Sequence, residues 1–239
     1  MIRNLLILLT ITISSITKAQ QNSNSIVVME LFTSQGCSSC PPADELLEVI
    51  KNKYENVYVL SYHVDYWNRL GWNDPFSVEV FSDYQREYAR QFNSSSIYTP
   101  QLVVNGSEHF TGSHSSKALE AIHKYSKSKS NNNIELKDIQ RKKDAIEIQY
   151  NVQGETFEQI TLALVVSKRV TKIRRGENRN RTLKNTNIVA GRVVKKDTSG
   201  IVTLSFPEWI DVNDELMIIA YTQNNKLATT GAAKINIRS

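Results

Sequence analysis

Cys37 and Cys40 are the only two cysteines of the chain, and two serines separate them. Sulfurs at this spacing can join each other, exchange a disulfide with a partner, or ligate a soft metal ion. As a passive cross-link the pair would add little, because so short a loop contributes roughly 2 kcal/mol on the chain-entropy account. A chain of 239 residues buries enough surface without such a staple. Redox chemistry is therefore the favoured reading, with metal ligation and an inert bridge as alternatives. The apolar run Ile26–Phe32 precedes the pair, and Pro41-Pro42 with an amphipathic stretch follows it. That order sets the sulfurs at the start of a helix, where unpaired N–H groups and the helix dipole favour a thiolate.

The elements that must position the sulfurs are legible around them. Pro42 to Lys53 carries Leu46, Leu47, Val49 and Ile50 opposite charged residues, the pattern of a surface helix. Val57 to Val64 is a short apolar run expected to form a buried strand. Phe81, Tyr84, Tyr88 and Phe92 recur at helical spacing and are expected to face the core. A strand opened by Pro100 closes in Asn105-Gly106, a strong hairpin signal, and a second strand reaches Thr111. Ser115 or Ser116 can then cap a helix running to about Lys127.

Residues 126–133 are a polar stretch expected to be a linker. Beyond it the grammar changes to short β runs, at Ala145–Val152, Gln159–Val166, Asn187–Val193, Ile201–Leu204, Glu215–Thr222 and Ala232–Ile237. These predict a small antiparallel β-sandwich. Three segments follow: 1–19 as a signal peptide, 20–130 as an α/β domain, and 131–239 as a β-rich domain.

The signal-peptide expectation rests on Arg3, the apolar Leu5 to Ile13, and small residues before a cut after Ala19. The apolar stretch is too short and polar for a stable membrane span. The mature protein is thus expected in the periplasm or outside the cell, an oxidising setting for a cysteine pair. Loss of Arg3 and Lys18 with the leader lowers the formal net charge from +5 to +3, weak grounds for a polyanionic partner.

Residues 26 to about 128 resemble the thioredoxin-like superfamily in order: strand, Cys-x-x-Cys, helix, strand, helix, Thr99-Pro100, hairpin, helix. More closely, Glu30–Asp44 resembles a signature of an exported family, domain of unknown function 1223. His63-Val64-Asp65-Tyr66-Trp67 with Leu70-Gly71-Trp72 and Asp74-Pro75-Phe76 is similar to its second signature. Arg175-Gly176-Glu177-Asn178 with Arg181-Thr182-Leu183 is similar to its third. The resemblance implies an α/β thioredoxin-like domain followed by a small antiparallel β-sandwich. It implies Cys37 as attacking thiol, Cys40 as resolving thiol, and Pro100 as a cis-proline whose neighbour Thr99 offers its backbone to a substrate. Two departures stand out. Gly36 replaces the usual aromatic residue before the first cysteine, which is expected to leave the thiol more exposed. Extra residues near 66–81 are expected to build a lid or a selectivity wall.

Other groups are candidates for supporting roles. His63 could stabilise a thiolate or join Cys37 and Cys40 around copper(I); its alternative is a core histidine satisfied by a hydrogen bond. Glu30, in the strand leading to Cys37, could take the proton of Cys40, with an ion pair as the alternative; Asp65 and Asp74 share that ambiguity. Trp67, Trp72 and Phe76 could offer an apolar substrate surface or pack within the extra segment. The basic residues between Lys168 and Lys184 lack aromatic partners for bases, so no nucleic acid is expected. They form a solvated loop or, more specifically, fold over the first domain and restrict the site. The leading expectation is an exported thiol–disulfide oxidoreductase acting on disulfide-containing proteins or peptides, with a membrane-bound redox partner as a further candidate. The rivals are a copper-delivery protein and a non-enzymatic interaction module.

Overall fold

The computed structural model describes residues 25–237; the expected leader lies outside them. Its first strand, β1 (Val27–Thr33), is buried along its whole length, as the near-continuous apolar run of a central strand requires. Alternate side chains serve different faces. Val27, Met29 and Leu31 pack with Leu47 and Ile50, while Val28 and Phe32 pack with Phe81, Tyr84 and Tyr88.

Helix α1 (Pro41–Lys53) begins with prolines in its first turn, where the missing N–H costs nothing. It leads to β2 (Val57–His63), which runs parallel to β1. Helix α2 (Glu79–Gln91) covers the opposite face through the tyrosine stripe expected to be core. Next come β3 (Gln101–Val104) and β4 (Glu108–Thr111), an antiparallel hairpin that pairs with β1 through β3. Helix α3 (Ser115–Tyr125) then packs beside α1.

The second half contributes β5 (Asn132–Arg141), β6 (Ala145–Gly154), β7 (Gln159–Lys172), β8 (Thr182–Lys195), β9 (Ser199–Ser205), β10 (Leu216–Gln223) and β11 (Thr229–Ile237). The expected sandwich needs a correction, because these strands do not form two sheets of their own. β5, β6 and β9 make a three-stranded antiparallel sheet, while the other four extend the first sheet into the order β11-β10-β7-β8-β2-β1-β3-β4. The join is parallel, at Ser61 and Ile188. Ser61 Oγ donates to the Thr186 carbonyl over 2.8 Å, and Asn187 Nδ2 donates to that of Val59 over 2.9 Å. Covering the free side of β2 removes an exposed strand edge from the centre of the molecule. The small sheet closes its core, Ile146, Ile148 and Leu204, against Leu162, Leu164 and Ile218 of the large one. The architecture is a mixed α/β fold with a large mixed sheet and a smaller antiparallel sheet.

Candidate functional site

β1 ends at Thr33 and α1 begins at Pro41, and the segment between them carries both cysteines. Cys37 and Cys40 are joined in a disulfide, and no free cysteine exists among the described residues. Cys40 stands at the N-cap with helical dihedrals, and the Cys40 N–H donates to the Cys37 carbonyl over 3.3 Å. The Ser39 hydroxyl donates to Cys37 Sγ over 3.4 Å.

Both sulfur residues are fully buried, whereas Ser38 and Ser39 are exposed. The expectation that Gly36 leaves the thiol open is therefore corrected. Trp67 takes up the room: its Cβ lies 3.1 Å from where a Gly36 Cβ would stand. Its indole N–H donates to the Thr99 hydroxyl over 2.8 Å, so one ring spans from the cysteine turn to the segment before Pro100. The Thr99–Pro100 bond is cis. The Pro100 carbonyl accepts the Gly112 N–H over 2.9 Å. A Cβ on Gly112 would meet Leu31 at 2.7 Å, Ala43 at 3.1 Å and Pro100 at 3.4 Å. Glycine is what allows this hairpin to lie against the first turn of α1.

The basic segment closes the other side. β7 and β8 form a long hairpin whose tip reaches back over the cysteine turn. Asn178, fully buried, donates through Nδ2 to the carbonyls of Gln35 and Cys37 over 2.9 and 2.8 Å. The exposed Glu177 carboxylate accepts the Ser38 N–H over 3.2 Å. Lys168 pairs with Glu48 of α1 at 2.9 Å, and Lys51 donates to the Ser167 carbonyl at 3.0 Å. The charge run is thus partly spent on docking the hairpin.

Behind the disulfide lies a buried ionisable cluster. His63 Nδ1 and Asp74 Oδ2 are 2.7 Å apart, both without exposed side-chain surface. Burial works against both charges. Yet Asp74 and Asp44 hold the imidazole above its ordinary value, while His63 and the N–H groups of Gln35 and Phe76 hold Asp74 below its own. Asp44 is the member that sequence reasoning missed. Its N–H donates to the Cys40 carbonyl over 3.2 Å, and the Thr33 hydroxyl donates to its Oδ2 over 3.2 Å. Burial pushes its carboxyl up to about 7, against the pull of His63 and Thr33. A cavity of about 230 Å3 lined by Pro41, Asp44, Glu48, Arg181 and Lys184 adjoins it.

Glu30 is not part of this cluster, which corrects the expectation that it serves Cys40. It shares the α2 face of β1 with Phe32, and Tyr84, Tyr88 and Tyr221 donate hydroxyls to it. Burial raises its carboxyl despite those three bonds. Asp65 is also elsewhere, accepting the Ser82 hydroxyl of α2. Phe76 is buried edge-on to His63, and Trp209 packs on it with centroids 4.8 Å apart, so it screens the ion pair and presents no surface to a substrate. Trp72 is half-buried and donates to Gln35 Oε1 over 3.1 Å. Gln35 in turn sends its N–H to Asp74 (2.8 Å) and its Nε2 to Asn185 (2.9 Å). His63, with Asp74 on one nitrogen, does not assemble with the cysteines: among the described residues no three His, Cys, Asp or Glu side chains converge as a metal needs.

No curated protein matches the chain. A crystal structure of a protein from Agrobacterium tumefaciens, a structural-genomics target, superposes with a TM-score of 0.64 at 27% identity, covering 87% of this chain and 93% of that one. Residues 28–223 match the model of a family described as protein of unknown function DUF1223. The match runs from β1 to the end of β10 and so includes every group around the disulfide; the chain belongs to the DUF1223 family.

Proposed function

We propose that the protein is an exported thiol–disulfide oxidoreductase of thioredoxin-like architecture. One observation carries the reading. The only two cysteines are bonded to each other in the turn entering α1, and an ionisable buried carboxyl stands one helical turn beyond the second. The parallel β1–α1–β2 unit followed by the β3–β4–α3 hairpin unit supports the architecture. The leader-like residues 1–19 support export to a compartment where a disulfide persists.

In the reduced protein Cys37, ahead of the α1 N-terminus, is the thiolate. It attacks one sulfur of a substrate disulfide, forming a mixed disulfide as the other substrate sulfur leaves as thiolate and takes a proton from water. Cys40 gives its proton to Asp44 and attacks Cys37 Sγ. The mixed bond breaks, the second substrate thiolate departs, and two electrons have passed from dithiol to substrate. Run backwards, the same steps insert a disulfide into a dithiol, with a membrane-bound partner resetting the pair. Pro100 and Thr99 flank the turn on the substrate side.

The Cys40→Ser protein should accumulate covalent complexes through Cys37 that a reducing agent releases. Wild-type turnover of a disulfide substrate by Cys37→Ser would refute the reading.

A further inference from the structure

Cys37 has no exposed surface, although its neighbours Ser38 and Ser39 face solvent. Two named pieces pack on the turn that carries it. Trp67 lies over Gly36 and is held by Thr99. The hairpin tip supplies Asn178, whose amide serves the Gln35 and Cys37 carbonyls, and Glu177, whose carboxylate accepts the Ser38 N–H. The cysteine turn thus presents two acceptors and one donor, and the tip answers with two donor hydrogens and one acceptor. That complement of N–H and C=O is what an extended polypeptide carries along one edge.

We propose that the β7–β8 hairpin tip is the specificity element of this site. Glu177 and Asn178 close the disulfide to small thiols, and an extended polypeptide segment opens it by supplying its own backbone to the groups they release. The proposal rests on the oxidoreductase reading and names its substrate class. The physical reason is that withdrawal of Asn178 strands the buried Gln35 carbonyl and leaves the Cys37 carbonyl with only its 3.3 Å bond from the Cys40 N–H, and an unpaired buried acceptor is costly. A small thiol brings nothing to satisfy them. A peptide backbone does, so it lowers the cost of opening while presenting its sulfur. Gly176 fits this role: its φ of +72° turns the tip, and it packs against Trp72, whose Cβ lies 3.1 Å from where its own Cβ would stand.

The test uses the oxidised full chain, with dithiothreitol or an unstructured peptide carrying two reduced cysteines as reductant. A reductant thiolate attacks one sulfur of the Cys37–Cys40 bond, and the other leaves as thiolate and takes a proton from water. The second reductant thiol then forms the reductant's own disulfide and frees the protein thiol, so two electrons pass to the protein. Samples are quenched by alkylation and weighed, and rates are normalised to an exposed reference disulfide. With dithiothreitol the rate should level off at a ceiling as its concentration rises, because opening becomes limiting. Asn178→Ala should raise that ceiling roughly tenfold, the change expected from losing two buried hydrogen bonds. Glu177→Gln, at an exposed position that leaves the fold intact, should raise it about threefold. The peptide should exceed the dithiothreitol ceiling on wild type. A rate proportional to dithiothreitol throughout and unchanged in both variants would overturn the closure, and a peptide no faster than dithiothreitol would overturn the substrate class. A levelling rate that both variants lift, in a protein whose Cys40→Ser form captures no partner, would instead reject the oxidoreductase reading and keep the closure.

Discussion

The Asp44 N–H donates to the Cys40 carbonyl across 3.2 Å, which sets a buried carboxyl one helical turn from the second sulfur. Positions four apart on a helix share a face, so on the oxidoreductase reading this carboxyl is the proposed acceptor of the Cys40 proton. Asp44→Asn should slow the resolving step on the order of 100-fold or more, the usual contribution of a positioned base. It should also remove an inflection near pH 7 from that step's pH profile. Rapid-quench measurement of mixed-disulfide decay checks both.

The same residue shapes stability. Burial raises Asp44 from an ordinary 3.8 to about 7, so the folded chain holds this proton more tightly than the unfolded chain. Its contribution to stability is complete below about 3.8 and is lost as pH rises toward 7. Asp74, held low by His63, acts in the opposite sense, its contribution being present above the ordinary carboxylate value and lost on acidification. Asp44→Asn should therefore flatten the decline between pH 4 and 7 and gain on the order of 2 kcal/mol at pH 8. Urea unfolding at both pH values reads the difference.

Glu30 provides a control on the other face of the sheet. Glu30→Gln keeps an acceptor for the three tyrosine hydroxyls but loses the charge-assisted bonds, and should cost about 1–2 kcal/mol. The pH profile of the resolving step should be unchanged. A profile that shifts with Glu30 instead of Asp44 would reverse the assignment of the base.

Gly112→Ala should destabilise the fold by about 1–3 kcal/mol, because the new methyl meets Leu31 and Ala43 in a filled space. Denaturant unfolding measures it. The small hairpin would also be pushed away from α1, so the reduced form of this variant should react more slowly with a disulfide substrate.

Much of this arrangement was readable from local pattern. The strand Val57–His63 and the Phe81–Tyr84–Tyr88 stripe each obey one period and are buried as that period requires, whereas in the helix after the cysteines Leu47 and Ile50 are buried but Val49 is exposed and Asp44 is buried. The face that Glu30 takes is not legible in the sequence, because strand alternation cannot be carried through the turn at 34–40: Leu31 and Thr33 face α1, and Glu30 goes with Phe32 to the other side. Asp44 was overlooked because an acid in the first turn of a helix is what any surface helix shows. β5 has no strand signature in the sequence because Asn132–Arg141 is mostly polar and breaks register after Lys137, where Asp138 has a positive φ. The hairpin over the disulfide had a sequence signal, Arg175-Gly176-Glu177-Asn178, but only the β2–β8 pairing brings it within reach of Cys37.

That pairing has a consequence for how such chains can change. Since β8 lies beside β2 in one sheet and also carries the arm that bonds to the cysteine turn, the stretches on either side of residue 130 share both a sheet and the surroundings of the disulfide. Severing them would strip a strand neighbour from one fragment and orphan the arm in the other. The DUF1223 family match crosses residue 130 without a break.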